Sequence, residues 1–332
     1  TSISADAATL RGAVASAIRA PSVYNSQPWR WRASTSDGID LFADPNRHLI
    51  TTDPDGRDLL LSCGAALHHL TVALAALGWT TRVARLPDPE NLHHLARVSL
   101  PARTGTVDPE AARLAEAIPR RRTDRGRFGP QPVPAHLLDT LVAQADAHGA
   151  RLHVVSGTAR RRLISLIAES ASLQQQQLGY AAEAARWTGR HTGSGDGIRP
   201  ANLVAPGVGR SGDVPMRPSP RPGVARPTHA LEHDDASVLA VLTTASDERG
   251  AVLRAGEATS AVLLTATAHG LASTPLSQPL EVAGTRTAIG TELVGADRFA
   301  QLVLRVGRAF PDAPELPPSP RRPLRSVLAP VS

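Results

Sequence analysis

No lysine occurs in the 332 residues, so all 36 basic side chains are arginine. That excludes Schiff-base lysine chemistry and the lysine of a phosphate-binding loop. Any anion this chain holds must be held by guanidinium forks, which grip phosphate through paired hydrogen bonds. The single cysteine, Cys63, excludes an intramolecular disulfide and a cysteine-based zinc site. It lies in an apolar run and reads as an inert core thiol. Aromatic residues are only 3% of the chain, so a core must come from Leu, Val and Ala, within a hydrophobic content of 42%. The N-terminal segment lacks the charged-then-apolar pattern of a leader, and no run reads as long as a membrane span. The expectation is a cytoplasmic protein with no membrane partner.

Several chemistries find no residues. A Gly-x-Ser-x-Gly elbow is absent, and no carboxylate pair stands out for acid–base work. The pairs His68–His69 and His93–His94 are sequence neighbours, which point to different sides of a helix, so a shared metal is not expected. Gly207–Gly212 has the spacing of a dinucleotide fingerprint. It lacks the strand before and the helix after that the motif requires. The formal charge of +6 raises nucleic acid as a partner. The arginines are spread among acidic residues without interleaved aromatics, so no nucleic acid is expected.

What the chain does contain is a repeat. Thr51–Gly64 and Thr243–Gly256 align without a gap at a shift of 256 − 64 = 192, sharing Thr, Thr, Asp, Arg, Leu and Gly. The same shift pairs Ala66 with Ala258, Ala76 with Ala268 and Gly78 with Gly270. Each copy reads as an Ala/Leu-rich helix stopped by a C-terminal Gly. Short β-like runs follow, Leu95–Leu100 and Leu302–Val306. Before the first copy, an amphipathic helix is expected from about Ser4, its cap, to Arg19. Before the second come a helix near Ala135–His148, a strand over Arg151–Val155 and a helix near Thr158–Gln175. Residues 186–235, rich in Gly, Pro and Arg, break the pattern and read as a lid or as a linker.

Three places could carry chemistry. Pro21-Ser22-Val23-Tyr24-Asn25-Ser26-Gln27-Pro28-Trp29 sets a hydroxyl and two carboxamides beside a Trp, between prolines that stiffen the loop. A carboxamide offers donor and acceptor together, as the edge of a flat heterocycle requires. The same stretch also reads as a helix-to-strand loop around a buried Trp. Arg121, Thr123 and Arg125 alternate, so an extended segment places them on one face as a phosphate clamp, or as a solvated charge run. Arg321 and Arg322 follow a proline-rich stretch and read alone as a basic tail.

Together these motifs resemble the FMN-dependent nitroreductase superfamily, and over nearly the full length the chain resembles its Acg subgroup. Ser22–Trp29 is similar to the family's Pro-Ser-x-x-Asn-x-Gln-Pro-Trp loop. Arg121, Thr123 and Arg125 are similar to its Arg-x-Ser-x-Arg/Lys phosphate segment, and Arg321 or Arg322 to its basic C-terminal contact. His269–Gln278 resembles the Gly-Leu…Pro-x-Glu-Gly stretch beside the flavin. Pro275 keeps its place, while Ser277 stands for Glu and Gln278 for Gly. The resemblance implies an α+β, nitroreductase-like fold duplicated in one chain, with antiparallel-rich sheets flanked by helices, and an intramolecular pseudo-dimer with a lid. Residues 1–105 would carry the Ser22/Asn25/Gln27 flavin loop and 106–332 the clamp. It further implies one FMN per chain, NAD(P)H as reductant, a small aromatic acceptor such as a quinone or nitroaromatic, and further association as an option. An FMN-holding protein with a lid-blocked site is the alternative.

Overall fold

A computed structural model describes residues 5–191, 193–203, 210–220, 223 and 234–332. Helix α1 (Ala7–Ala17) leads into the hairpin of β1 (Trp29–Ser34) and β2 (Gly38–Ala43). Then follow α2 (Arg57–Ala76), β3 (Trp79–Arg85), β4 (His94–Arg103) and a bridging α3 (Pro109–Ala117). The remainder runs α4 (Ala135–Ala147), β5 (Arg151–Val155), α5 (Gly157–Gln176), α6 (Tyr180–Trp187), β6 (Arg210–Asp213) and β7 (Val238–Thr244). It continues through α7 (Arg249–Ala268), β8 (Ala272–Leu276), α8 (Gln278–Glu281), α9 (Ala283–Ile289) and β9 (Phe299–Gly307).

All of these strands but β6 form two antiparallel four-stranded sheets, ordered β1-β2-β4-β3 and β5-β7-β9-β8. The two orders are one topology written twice: outer strand, strand before the long helix, last strand, strand after the helix. The ladder irregularity repeats as well, between Leu41 and Phe42 in β2 and between Leu242 and Thr243 in β7. The long helices span Arg57–Ala76 and Arg249–Ala268, so both ends obey the 192-residue shift. The fold is thus a duplicated α+β arrangement, as the repeat implied.

Helices α2 and α7 cross where Gly64 meets Gly256. A Cβ on Gly64 would run into the Leu253 carbonyl and come within 2.9 Å of the Gly256 Cα. A Cβ on Gly256 would run into the Leu61 carbonyl and come within 2.9 Å of the Gly64 Cα. Residue i meets j as j meets i, the signature of a two-fold contact, here between equivalent segments of one chain. Both helices are buried over most of their length. Contrary to the sequence expectation, α2 is long and apolar enough to cross a membrane, but its apolar surface is mostly buried inside the fold.

The cap of α1 also differs from expectation. Ser4 lies outside the described residues, and the Asp6 carboxylate accepts the Thr9 N–H at 2.7 Å, satisfying one of the open donors at the helix start. Cys63 is buried as expected, its Sγ 3.3 Å from the Pro28 carbonyl, and burial pushes its pKa up. His68 and His69, read as pointing apart, both reach the Ser260 hydroxyl at 2.8 Å. No cluster of metal-ligating side chains accompanies them among the described residues.

Those imidazoles make stability pH-dependent. Burial lowers the pKa of His68 from 6.5 to about 3, with His148 adding repulsion, and burial lowers that of His69 too. Between those values the unfolded chain binds more protons than the folded one, so stability falls as pH drops below 6.5. For His68 alone the loss reaches up to about 4–5 kcal/mol near its folded pKa. Asp53 opposes this, because burial raises its pKa to about 6 and favours the fold at lower pH. We expect His68→Gln to lose less stability than wild type between neutral pH and about pH 4.5 in urea denaturation. An equal loss in both proteins would assign the acid sensitivity elsewhere.

Candidate functional site

After α1 the chain turns through Ser22–Gln27 with Tyr24, Asn25 and Gln27 at φ of 51°, 54° and 53°. Left-handed backbone at non-glycine residues costs on the order of 1–3 kcal/mol each and persists only where surroundings impose it. Here they do. The Ser22 hydroxyl accepts the Gln27 N–H at 3.0 Å, and the Asn25 carboxamide donates at 3.0 Å to the carbonyls of Gly197 and Pro320. The C-terminal tail reaches this loop because it runs along β1, with Trp31 N bonded to the Val327 carbonyl at 2.7 Å and Ala329 N to the Trp31 carbonyl at 3.0 Å.

The loop borders a cleft with about 1290 Å³ of atom-free space, open mouth included. Its floor is α2, whose Asp58, Leu61, Ser62 and Ala65 share one helical face. One end is cationic. Arg121, Thr123, Arg125 and Arg321 line it, so the alternating segment and the distant tail converge. Arg121 is 6% exposed, and its Nε and Nη1 have no hydrogen-bond partner, nor has Nε of Arg321. Among the described residues neither guanidinium forms an ion pair with a carboxylate; Arg321 instead donates to Asn25 Oδ1 at 3.1 Å and to backbone carbonyls. Burial, reinforced by neighbouring arginines, pushes Arg121 down to about 10 and Arg321 down to about 9. Buried N–H donors left without acceptors are costly, and an anion in the cleft would relieve that cost.

The other end is acidic and was not foreseen. Asp58 is buried on the cleft wall, facing Glu281. Arg217 forms an ion pair with Glu281 and donates to the Tyr180 hydroxyl at 2.9 Å. The hydroxyls of Tyr24 and Tyr180, the chain's two tyrosines, lie 3.4 Å apart over this arginine. Ser277 donates to Glu281 at 2.7 Å, and Gln278 donates to Gln174 at 2.9 Å. Arg217 belongs to Pro215–Ser219, which lines the cleft. Thr188, Ile198 and Leu203 of the 186–235 segment line it too, whereas 192, 204–209, 221–222 and 224–233 lie outside the described residues. The same holds for the first half, 207–209, of the Gly207–Gly212 stretch. One sequence signal existed for Asp58: the 192-residue shift puts Gly250 at its counterpart, so the position breaks the repeat.

Of the residues singled out from sequence, Ser22, Asn25, Arg121, Thr123, Arg125, Pro275, Ser277, Gln278 and Arg321 line the cleft. Gln27 and Arg322 do not. The Gln27 side chain is fully buried behind the loop, donating to Gly195 O at 2.9 Å and accepting the Arg322 N–H at 2.9 Å. Arg322 turns away to the Gln27 carbonyl and to Asp44 at 3.5 Å. Of the two C-terminal arginines, Arg321 faces the cleft.

The position related to the cleft by the repeat is filled. Ala65 corresponds to Glu257 and Ser277 to Arg85, and these two side chains form a bidentate pair at 2.6 and 2.8 Å. A small residue and a hydroxyl on one side are thus replaced by an ion pair on the other. Fold and site define a duplicated α+β protein with a cleft, cationic at one end, lined by residues of both copies.

The chain belongs to the nitroreductase family, which it matches over residues 118–308. It is 44% identical over 323 residues to Rv3131 of Mycobacterium tuberculosis, provisionally named an NAD(P)H nitroreductase, covering 97% of this chain and 92% of that one. It is 37% identical over 329 residues to acg of the same organism, provisionally given the same activity name, covering 96% and 94%. Among solved structures it is similar to the FMN-dependent nitroreductase NfnB from Mycobacterium smegmatis in complex with NADPH. That likeness has 19% identity, covers 65% of this chain and 96% of that one, and has a TM-score of 0.39. A Bacteroides fragilis nitroreductase with bound FMN shares 13% identity over 60% of this chain and 90% of that one, with a TM-score of 0.38.

Proposed function

We propose that this chain is an FMN-binding oxidoreductase that takes hydride from NAD(P)H and passes it to a quinone or nitroaromatic acceptor. One flavin per chain, at the seam of halves 1–105 and 106–332, completes the reading. The observation that carries it is the buried Arg121 guanidinium, whose Nε and Nη1 lack acceptors, beside the half-buried Arg321, whose Nε lacks one. A phosphate supplies acceptors of the right charge and geometry. FMN also requires room beside the phosphate, and the cleft walls formed by α2 and the Ser22–Asn25 loop support that reading. The full-length relatives named as NAD(P)H nitroreductases support the reductant.

When bound, the flavin supplies hydride exchange at N5; the protein supplies position and access. Arg121, Thr123, Arg125 and Arg321 would hold the phosphate. Ser22, Asn25, Pro275, Ser277 and Gln278 would border the remainder of the cofactor. Gln27 and Arg322 would act one layer behind, fixing the loop and the tail to each other.

A storage role is the second reading, and Arg217 favours it. Its ion pair with Glu281 pins Pro215–Ser219 into the cleft. One experiment separates the two. The visible spectrum of the FMN-loaded protein is followed anaerobically with NADPH, then with dithionite. We expect bleaching by NADPH. Bleaching by dithionite alone, with NADPH response restored in Arg217→Ala, would establish storage instead. No flavin bands after FMN addition would overturn both.

A further inference from the structure

Asp58 occupies an unusual place. Among the described residues it alone lines both the main cleft and a small second cavity, bordered by Asp53, Asp55, Glu281 and Arg286. That cavity is small and polar, with room for about one water. Asp55, on its outer side, is 64% exposed. The carboxyl of Asp58 therefore separates the site from a polar route toward solvent.

The groups around it decide which carboxyl keeps a proton. Glu281 receives hydrogen bonds from Arg217, from Ser277 at 2.7 Å and from Gln174 at 2.6 Å. Asp58 is 4% exposed, and its Oδ2 has no donor. Burial, with the negative Asp53 and Glu281 beside it, drives Asp58 toward the neutral acid, and Arg217 opposes this only in part. On its own approach to α2, Asp53 accepts the Leu59 N–H at 2.9 Å, and the His48 ring bonds the Asp53 carbonyl at 2.5 Å. Arg57 is engaged by Asp247 at 2.7 Å and by Gln301. Tyr24 and Tyr180 meet Arg217, not Asp58.

Reduction of a quinone or nitro oxygen consumes one proton for each hydride. We propose that Asp58, backed by Glu281, is the proton donor to the acceptor reduced in the cleft and is resupplied through the second cavity. This rests on the oxidoreductase reading. The acceptor gains the hydride equivalent that originates in NAD(P)H. Its oxygen forms an O–H bond as the Asp58 O–H breaks, and the electron pair stays on the Asp58 carboxylate. A solvent proton, entering past Asp55 and Asp53, then restores the acid.

Two measurements test this. Infrared difference spectra of the wild-type and Asp58→Asn proteins, without added substrate, read the carbonyl band of a protonated carboxylic acid at neutral pH. We expect the band in wild type and its loss in Asp58→Asn, and its absence from wild type would overturn the proposal. Benzoquinone turnover with NADPH should then fall in Asp58→Asn by about 10²-fold or more in kcat. KM for NADPH should be kept, and the wild-type pH profile flattened. An unchanged kcat in a variant that still binds FMN would overturn the donor role alone. A wild-type band without turnover of any quinone or nitroaromatic would overturn the oxidoreductase reading, and the donor role with it. Should Asp58→Asn fail to fold, the band and the solvent deuterium isotope effect on wild-type kcat decide. A kcat insensitive to deuterium counts against the donor.

Discussion

Arg121→Met weakens FMN binding by about two to four orders of magnitude and, in the same protein, raises the melting temperature of the flavin-free state. The two effects share one cause. Arg121 is buried, and two of its nitrogens meet no acceptor. Hydrogen bonds to charged groups contribute about 1.5–3 kcal/mol each, so losing two of them to a phosphate accounts for the affinity change. Without an anion the same burial is a liability. Lowering the guanidinium from 12.5 to about 10 means that at neutral pH the folded state carries a charge it disfavours by about 3 kcal/mol. A methionine of similar length removes that cost. A guanidinium serving structure alone would behave otherwise: its loss would lower stability with and without flavin. Titration calorimetry with FMN, paired with thermal scans of the flavin-free protein, reads both signs. Inorganic phosphate should raise the wild-type melting temperature by mass action and leave Arg121→Met unmoved. A variant that binds FMN normally would remove Arg121 from the clamp.

Much of the scaffold was legible because it is written locally and twice. Helical periodicity and terminal glycines fix α2 and α7, and their shared shift survives to both ends. Strand β5 runs over the expected residues. Strand β3 gave no signal, because it lies on a sheet edge and alternates half-buried with exposed positions. The site divides along the same line. Arg121, Thr123 and Arg125 are neighbours in sequence, so their common direction could be read from spacing. The role of Gln27 could not, since its partner Gly195 lies 168 residues away and the left-handed backbone of the loop is imposed by tertiary contacts. Glu281 and Arg217 meet 64 residues apart, across a segment whose composition suggests only a loop. Resemblance named the cleft's cationic end, its Ser22/Asn25 loop and Pro275–Gln278, but not Asp58, Arg217 or Glu281.

Gly64→Ala and Gly256→Ala should each destabilise the protein by about 3 kcal/mol, and by similar amounts, because the two-fold contact gives each methyl an equivalent obstacle. Overpacking a close-packed core ordinarily costs 1–3 kcal/mol. Here the obstacles are backbone atoms, which cannot move as a side-chain tip can. The double variant should lose more than the sum of the two, since the new methyls would meet each other. Gly12→Ala is the control. It lies inside α1 with open space where a Cβ would go, so it should stabilise by about 0.5–1 kcal/mol. Denaturant midpoints at constant m-value separate these outcomes. Tolerance of Gly64→Ala at the level of Gly12→Ala would mean that the helices can part without cost. The site gives the contact its functional meaning. Asp58, Leu61, Ser62 and Ala65 of α2 and Thr259 of α7 all border the cleft. Forcing the helices apart moves these side chains against the clamp, which is fixed to other elements. FMN affinity should therefore fall in Gly64→Ala and Gly256→Ala even where most of the protein remains folded.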